Sequence, residues 1–402
     1  MSVLRRCIPI PARDFAELYW GRRPLLTRAA ELPAGFDDLL DAAAVDELVS
    51  RRGLRTPFLR MAKEGDLVPP GRYSRGGGAG AAVADQAADD AVLGQLDDGA
   101  TLVLQALHRT WPPLVTFGSE LSTELGHPVQ INAYITPAQN QGFASHYDVH
   151  DVFVLQIAGH KRWRVHEPVL ADPLGDQPWE QRRSAVAQRA AEPPLIDELL
   201  EPGDALYLPR GYLHSAVAQG ELSIHLTVGV HALTRYQLVR HLLGAAADDA
   251  ELRASLPMGV DLGDPAVLEP HLRETLAVLR RYLDRVGPDD VADRITADLV
   301  RQTRPAPVGP LAQLAAVSSV TATTALRMRP GLRCGVARDS AGVRLRLLDK
   351  AVSVPSGAEA AIKTILSGEP FTPTELPGLD AGEQLALARL LLREAVVVPA
   401  QA

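Results

Sequence analysis

The sequence predicts an α+β fold in which a β-barrel is followed by a helical segment and a small terminal domain. The chain has 402 residues, which is more than one ordinary hydrophobic core accommodates and favours two or three domains. Across residues 101–233, short runs of branched and aromatic residues alternate with Pro, Gly and Asp, a pattern typical of strands joined by turns. From residue 234 onward the apolar residues repeat with helical spacing.

The composition is that of a globular protein and argues against several function classes. Hydrophobic residues make up 46% and charged residues 22% of the chain. The formal net charge of -8 disfavours a general nucleic-acid-binding protein. The two cysteines, Cys7 and Cys334, lack the spacing of a disulfide scaffold or a zinc ribbon and indicate a reducing compartment. We recognise neither a secretory leader nor a membrane span, so we expect a cytoplasmic protein without a membrane partner.

Residues 1–100 are predicted to form a helical and loop extension of the barrel. Short amphipathic helices are expected over residues 14–20 and 37–49. The glycine-rich segment 71–84 lacks the Gly-Lys-Ser/Thr that would follow in a phosphate-binding loop. A surface loop is the simpler interpretation of this segment, and a functional lid is the alternative.

The barrel itself is assigned to residues 101–233. Many short strands with few intervening helices favour a sandwich or barrel over a βαβ sheet. The clearest strands are Thr101–Leu107, Val129–Ile135, Val152–Ile157, Arg162–His166, Ala205–Leu208 and Leu222–Val230. Turns are predicted at Ala158-Gly159-His160, Pro202-Gly203-Asp204 and Pro209-Arg210-Gly211.

Residues 234–304 are predicted to form a helical segment and residues 305–402 a winged-helix-like domain. Within the first, an apolar stripe is formed by Leu272, Leu276, Leu279, Leu283 and Val286. The terminal region is expected to combine a small sheet with short helices. Its predicted strands are Thr324–Met328, Val336–Ala337, Val343–Leu348 and Val396–Val398, and its predicted helices are Ala358–Leu366, Thr372–Leu376 and Gly382–Arg393.

The residues that point to chemistry lie in two segments, 142–153 and 201–214. In the first, His146 and Asp148 are two apart, so on a strand they would present an imidazole and a carboxylate on one face. In the second, a turn would bring His214 to the barrel interior. Two histidines and one carboxylate form the ligand set of non-heme Fe(II) oxygenases, which leaves coordination positions open for a 2-oxo acid and dioxygen.

The wider context of these residues resembles a known family. The shared motifs are Asn132-Ala133-Tyr134, His146-x-Asp148, Asp151-Val152-Phe153-Val154-Leu155-Gln156, Gly159-x-Lys161-x-Trp163 and the segment from Pro202 to His214. Together they resemble the JmjC ribosomal oxygenases, closely over about residues 100–233 and more loosely beyond. The resemblance implies a cupin-type double-stranded β-helix barrel that uses Fe(II) and 2-oxoglutarate to hydroxylate a protein side chain. In the family, that side chain is a His or Arg of a ribosomal protein, and the helical segment forms a homodimer.

The resemblance also assigns roles to individual residues. His146, Asp148 and His214 would hold the metal. Lys161 matches the basic residue that pairs with the distal carboxylate of 2-oxoglutarate, although an ordinary strand-edge lysine is the alternative. Asn132 and Tyr134 match positions near the cosubstrate. The family adds a hydroxyl on the strand after the second histidine, which Ser223 or Thr227 would supply here, and we choose Thr227.

Simpler structural roles remain open for the neighbouring polar residues. His150 would contact substrate or lie in solvent or behind the ligands, and His160 is expected to be solvated. His225 would line the pocket or be a hydrogen-bonded barrel histidine, and Asp151 is most simply structural. The apolar stripe around Leu272 is the kind of pattern that most often belongs to a core.

Two other functions fit the same residues. One is a hydroxylase of a small molecule or a natural-product peptide, and the other is a non-catalytic metal-binding cupin that acts as a regulator. Demethylation and hydroxylation would use the same ligand set, so both reactions stay open at this point. The nearly balanced charge of residues 305–402 favours a protein-contact role for the terminal domain over DNA reading.

Overall fold

The fold is described from a computed structural model that covers residues 2–339, 342–347 and 350–400. The chain divides into two compact units, one up to Ala232 and one from Leu233 onward. Each unit is described by itself. No helix in the described part of the chain has both the length and the apolar character that crossing a membrane requires.

The helices of the first unit begin and end at recognisable signals. The carboxylate of Asp41 accepts the amide N–H of Ala44 and so caps the second helix. Gly126, at φ +71°, ends the fifth helix in the left-handed conformation. The first two helices begin and end a few residues from their predicted limits. The helices are α1 Ala12–Leu18, α2 Ala42–Arg51, α3 Asp89–Asp97, α4 Leu107–Thr110, α5 Pro112–Leu125 and α6 Arg183–Ala190.

The strands of the first unit form one large antiparallel sheet and a small separate pair. The sheet order is β1-β10-β8-β11-β7-β6-β2-β3, with β9 added to β8, while β4 pairs with β5. The strands are β1 Leu25–Thr27, β2 Leu59–Lys63, β3 Asp66–Leu67, β4 Ser74–Arg75, β5 Gln86–Ala87, β6 Thr101–Leu104, β7 Val129–Thr136, β8 Asp151–His166, β9 Ile196–Leu200, β10 Ala205–Leu208 and β11 Leu213–Val230.

The long strand β8 is a correction to the sequence prediction of two strands separated by a tight turn. It continues through Gly159 and pairs with β10 in its first half and β9 in its second half. Gly159 has φ +61°, and a Cβ there would lie 2.2 Å from the carbonyl oxygen of Leu222. The glycine therefore allows a bulge against β11 where β8 bends, so one strand serves both sides of the barrel.

Strand β7 provides one wall of the barrel interior. Its burial alternates, with Ile131, Ala133 and Ile135 packed in the main hydrophobic core of the unit. Asn132 and Tyr134 therefore point to the opposite face, towards the barrel interior. Their partners on β11 are Thr227 and His225, which brings four polar or aromatic side chains to the same face.

The second unit contains helices followed by a small sheet and further helices, as the sequence predicts. The strands β13, β14 and β15 form an antiparallel sheet, and β12 pairs with β16. The helices are α7 Arg235–Ala246, α8 Pro265–Leu283, α9 Pro288–Gln302, α10 Pro310–Ser319, α11 Glu359–Leu366 and α12 Ala381–Arg393, and the strands are β12 Leu326–Met328, β13 Gly335–Asp339, β14 Gly342–Arg346, β15 Ala351–Val354 and β16 Val397–Pro399.

Three elements of this unit differ from their prediction. The expected helix 372–376 is a 3-10 helix, Pro373–Glu375, and strand β15 and helix α10 were not predicted. The predicted end of the strand at Leu348 lies outside the described residues. The stripe on α8 is not core in the single chain, because Leu272, Leu276 and Leu283 are 40–49% exposed.

Candidate metal centre

Three side chains converge from two places in the chain, the loop before β8 and the start of β11. His146, Asp148 and His214 each place one potential ligand atom within 4.8 Å of the other two. The rings of the two histidines lie 4.5 Å apart between centroids, and Nε2 of His214 lies 3.6 Å from Oδ2 of Asp148. Two imidazoles and one carboxylate in such a cluster form a donor set for a divalent transition metal, with positions left open on one side.

The backbone holds this cluster together. His146 and His214 exchange two backbone hydrogen bonds, of 3.1 and 2.8 Å, and the N–H of Gly211 donates to the carbonyl of Asp148 at 3.0 Å. Gly211 has φ +90°, and a Cβ there would lie 2.4 Å from the carbonyl oxygen of Leu170. The predicted turn before His214 is therefore present and requires glycine.

The backbone conformation at His146 and Asp148 differs from the prediction. Both residues lie in the loop before β8, and His146 takes part only in the isolated bridge to His214. Their common direction therefore comes from the bridge and from the contact of Asp148 with Gly211, and strand alternation has no part in it.

The two imidazoles are oriented by backbone carbonyls. Nδ1 of His146 lies 2.7 Å from the carbonyl oxygen of Ala144, and Nδ1 of His214 lies 3.1 Å from that of Tyr212. A hydrogen on Nδ1 would satisfy each carbonyl and leave the Nε2 lone pair free for a metal. Burial, followed by the neighbouring His146, lowers the pKa of His214 to about 4, so its ring is neutral as a ligand requires.

Asp151 has the structural role that we expected. It is fully buried and accepts hydrogen bonds from the hydroxyl of Tyr207 and the amide of Arg210, both at 2.9 Å. Arg210 lies in the turn that precedes His214. Asp151 thus fixes that turn against the start of β8.

A cavity of ≈ 530 Å³ adjoins the three side chains. Lys161 lines it, is 3% exposed, and donates from Nζ to Oγ1 of Thr136 at 2.9 Å. Thr136 also accepts from the hydroxyl of Thr101 at 3.1 Å. Within the described part of the chain, no carboxylate pairs with the Lys161 ammonium. Burial lowers the pKa of Lys161 to about 7, so its charge depends on pH near neutrality.

The other predicted cosubstrate residues also line this cavity. Oδ1 of Asn132 accepts from the amide of Ala106 at 3.0 Å, which fixes the side-chain amide. Tyr134 and Thr227 line the same space. Ser223, the alternative to Thr227, instead accepts from Nε2 of Gln156 in the interior.

The neighbouring histidines separate into distinct environments. His150 lines the cavity with Nε2 at 3.3 Å from Nε2 of Gln130. His160 lies at the surface beside Glu221, with 2.9 Å between Nδ1 and Oε1, in keeping with its expected solvation. His225 lines the cavity and is 3% exposed.

Sequence reasoning missed the two threonines behind Lys161 and the role of Trp163 as a wall of the cavity. Thr136 lies two residues after Tyr134 on β7, so strand alternation places it on the same face and could have indicated it. Thr101 belongs to the neighbouring strand β6. It comes next to Thr136 only because β6 pairs with β7 in the sheet. No local signal in the sequence marks that contact.

The sequence is similar to a described protein family and to several curated proteins. Residues 118–238 match the family described as JmjC domain. The bifunctional lysine-specific demethylase and histidyl-hydroxylase NO66 of Aedes aegypti is 25% identical over 323 residues, covering 73% of this chain and 46% of that protein. Ribosomal oxygenase 1 of Rattus norvegicus is 28% identical over 320 residues, covering 74% and 50% respectively. The chain thus spans about half the length of these curated relatives.

Solved structures share the fold over almost the whole chain. The Escherichia coli ribosomal oxygenase YcfD superposes with a TM-score of 0.56 at 18% identity, over 97% of this chain and 98% of that one. A structure of YcfD in complex with cobalt and 2-oxoglutarate superposes over the same shares with a TM-score of 0.54 at 18% identity. The likeness, together with the antiparallel sheet, confirms the predicted α+β fold with a JmjC-type barrel.

Proposed function

We propose that this chain, a JmjC-domain protein with the fold of the ribosomal oxygenases, is an Fe(II)- and 2-oxoglutarate-dependent oxygenase that hydroxylates a protein side chain. The observation that carries the proposal is the convergence of His146, Asp148 and His214 beside a cavity that contains a buried lysine. The donor set suits Fe(II), and the lysine suits a dicarboxylate.

The residues of the cluster fit the metal in chemistry as well as in spacing. His146 and His214 would bind the ion through Nε2 and Asp148 through a carboxylate oxygen. When bound, Fe(II) would supply the chemistry in which dioxygen oxidises 2-oxoglutarate to succinate and carbon dioxide, with one oxygen atom entering succinate and the other entering the substrate as a hydroxyl group. All three side chains line the cavity, so a cosubstrate and a substrate held there would lie next to them.

The chain's own residues bind and orient the cosubstrate. Lys161 provides the only lysine ammonium of the described cavity lining, and a buried cation selects a diacid over a monoacid. Thr136 accepts a hydrogen bond from that ammonium. The side chains of Asn132, Tyr134 and Thr227 contribute further polar atoms to the cavity lining. Apolar side chains of Val152, Val154 and Trp163 complete the wall and limit access of water.

A protein substrate is supported by the extent of the cavity lining and by the names of the relatives. The lining continues beyond the proposed cosubstrate residues to Gln105, Gln130 and His150, which leaves polar side chains for a second ligand beside the cosubstrate. The names of the relatives describe a lysine-specific demethylase and histidyl-hydroxylase and a ribosomal oxygenase, which favours a His side chain of a ribosomal protein. An Arg side chain is the candidate that the family resemblance adds. A free small molecule is the alternative.

The test is to incubate the iron-loaded protein with 2-oxoglutarate and ribosomal-protein peptides that contain His or Arg, with free amino acids in parallel. We expect a peptide to gain the mass of one oxygen atom, with a matching yield of succinate. Succinate formed only with a free small molecule would contradict the protein substrate. A loss of one methyl group from a methylated peptide would instead identify demethylation.

The helical segment is proposed to form a homodimer. Large apolar side chains are exposed along α7 and α8 in the single chain, namely Tyr236, Leu238, Val239, Leu243, Leu272, Leu276 and Leu283. Exposed apolar faces of this kind mark interaction sites. In a two-fold dimer, the same face of a second copy would cover these side chains. We therefore assign the stripe on α8 to an interface.

Light scattering during gel filtration should give the mass of a dimer for the wild-type protein. The double substitution Leu272→Glu, Leu276→Glu should give a monomer, since it places two carboxylates in an apolar interface. Leu311→Glu is the matched control, because Leu311 is 81% exposed on a different helix, α10. A monomeric wild type at micromolar concentration would refute the assignment.

The cellular setting is proposed to be the cytoplasm, without membrane or nucleic-acid partners. Cys7 and Cys334 are both free, and Cys7 is buried, as is usual in a reducing compartment. The net charge of -8 opposes binding to nucleic acid in general. We also propose residues 101–233 as the catalytic barrel, with residues 1–100 as its extension.

A further inference from the structure

The cavity wall contains a buried imidazole, that of His225. It lies on β11, is 3% exposed, and its Nδ1 is buried without a hydrogen bond. In the part of the chain that the structure describes, neither ring nitrogen of His225 has a hydrogen-bond partner. A buried imidazole carries one donor and one acceptor when neutral, and such groups are rarely left unsatisfied.

The ring is nevertheless held in a defined position. It stacks on Tyr134 at 5.0 Å between centroids with an interplanar angle of 9°, and it meets Trp163 edge-on at 5.5 Å and 87°. Both neighbours line the same cavity. Packing alone therefore orients His225, and its hydrogen-bonding capacity remains available to a ligand.

The surroundings of His225 decide which role it can take. Burial, and then the charge of Lys161, lowers the pKa of His225 well below its ordinary value, so the ring is neutral and carries one N–H. A 2-oxo dicarboxylate offers only acceptor oxygens. The imidazole can therefore bind such a ligand only by donating its N–H.

We propose that His225 donates a hydrogen bond to the distal carboxylate of the bound 2-oxo dicarboxylate, next to Lys161. The inference rests on the proposed function and adds a further cosubstrate-binding residue to it. Lys161 donates to Thr136, which lies two residues after Tyr134 on β7, and Tyr134 stacks on His225. All of Lys161, Tyr134 and His225 line the cavity, so a carboxylate paired with the ammonium comes within reach of the imidazole. The imidazole of His225 then gains a hydrogen-bond acceptor that the described residues do not supply.

Calorimetric titration of the Zn(II)-loaded full chain with 2-oxoglutarate tests this contact without turnover. His225→Phe keeps the ring packing against Tyr134 and Trp163 but removes the donor. Because a hydrogen bond to a charged group is lost, we expect Kd to rise roughly tenfold to hundredfold. His225→Gln retains an N–H donor and should recover most of the affinity. His160→Gln, a surface substitution outside the cavity, is the matched control and should leave Kd unchanged.

A second ligand locates the contact on the cosubstrate. 2-Oxopentanoate keeps the 2-oxo acid group but lacks the distal carboxylate, so His225→Phe should not change its Kd. Equal weakening of both ligands would overturn the assignment to the distal carboxylate. Thermal denaturation checks that the variant is folded, and His225→Leu takes its place in the same titrations if the Phe variant is not.

The outcomes separate this inference from the proposed function. A wild-type protein that fails to bind 2-oxoglutarate would refute the proposed function itself. A wild-type protein that binds it, with His225→Phe binding equally well, would refute only the role of His225. In that second case, water rather than the cosubstrate satisfies the imidazole.

Discussion

Replacement of Asp148 by Ala is expected to abolish iron-dependent turnover while the protein stays folded. The carboxylate is one of the three proposed ligands, and even the residues that orient metal ligands are typically worth about 10–100-fold in affinity or activity. We therefore expect Fe(II) affinity to fall by more than about a hundredfold. Metal titration followed by calorimetry, and succinate formation under saturating iron, measure the two effects.

The fold should tolerate this substitution for two reasons. The side chain of Asp148 is 29% exposed, and within the described residues it pairs with His214, at 3.6 Å between Oδ2 and Nε2. Its carbonyl still accepts from Gly211 when the side chain is shortened. We expect the free energy of unfolding of the metal-free protein to change by about 1 kcal/mol or less. Asp38→Ala, at an exposed carboxylate, is the control. Wild-type turnover in Asp148→Ala would show that another residue is the ligand.

Replacement of Lys161 by Ala is expected to weaken 2-oxoglutarate binding strongly and to affect metal binding little. Truncation of one partner in a buried, hydrogen-bonded charge pair costs about 2–5 kcal/mol, which is roughly thirtyfold or more in Kd. Titration of the Zn(II)-loaded variant with 2-oxoglutarate gives the value directly. An unchanged Kd would mean that the lysine is only structural.

The pH dependence of this binding has a defined sign. Burial lowers the pKa of Lys161 to about 7 in the free protein, and a bound dicarboxylate raises it by favouring the ammonium. Below pH 7 the ammonium is already formed, so its protonation adds no pH dependence. Above pH 7 binding must take up a proton, and affinity should fall by up to about tenfold per pH unit. Lys161→Arg stays charged, so its affinity should be weaker but should lack this slope.

Local spacing in the sequence was sufficient to single out the three side chains that the structure brings together. His146 and Asp148 are two apart, and the glycine turn before His214 is encoded next to it, so each half of the cluster depends on neighbours in the chain. The reason for their common direction was different from the one expected. A backbone bridge between His146 and His214 sets it, and that bridge joins two segments that are distant in sequence.

The limits of single strands were less predictable wherever a bend interrupts a strand. The residues around Gly159 suit a turn in isolation, yet β8 passes through them because β9, β10 and β11 pair on either side. Hydrogen bonds to those neighbours outweigh the local turn preference. The stripe on α8 was recognised as helical, but its exposure depends on what the rest of the unit covers.

The sequence by itself determined the α+β class, the helical and strand-rich regions, and the candidate ligand and lysine positions, because these depend on periodicity and on short motifs. Only the tertiary structure decided what surrounds the buried Lys161. Thr101 and Thr136 meet behind Lys161, and His225 faces Tyr134, through the pairing of β6, β7 and β11. These contacts follow from strand register, which brings together residues far apart in the chain. No short stretch of the sequence therefore predicts them.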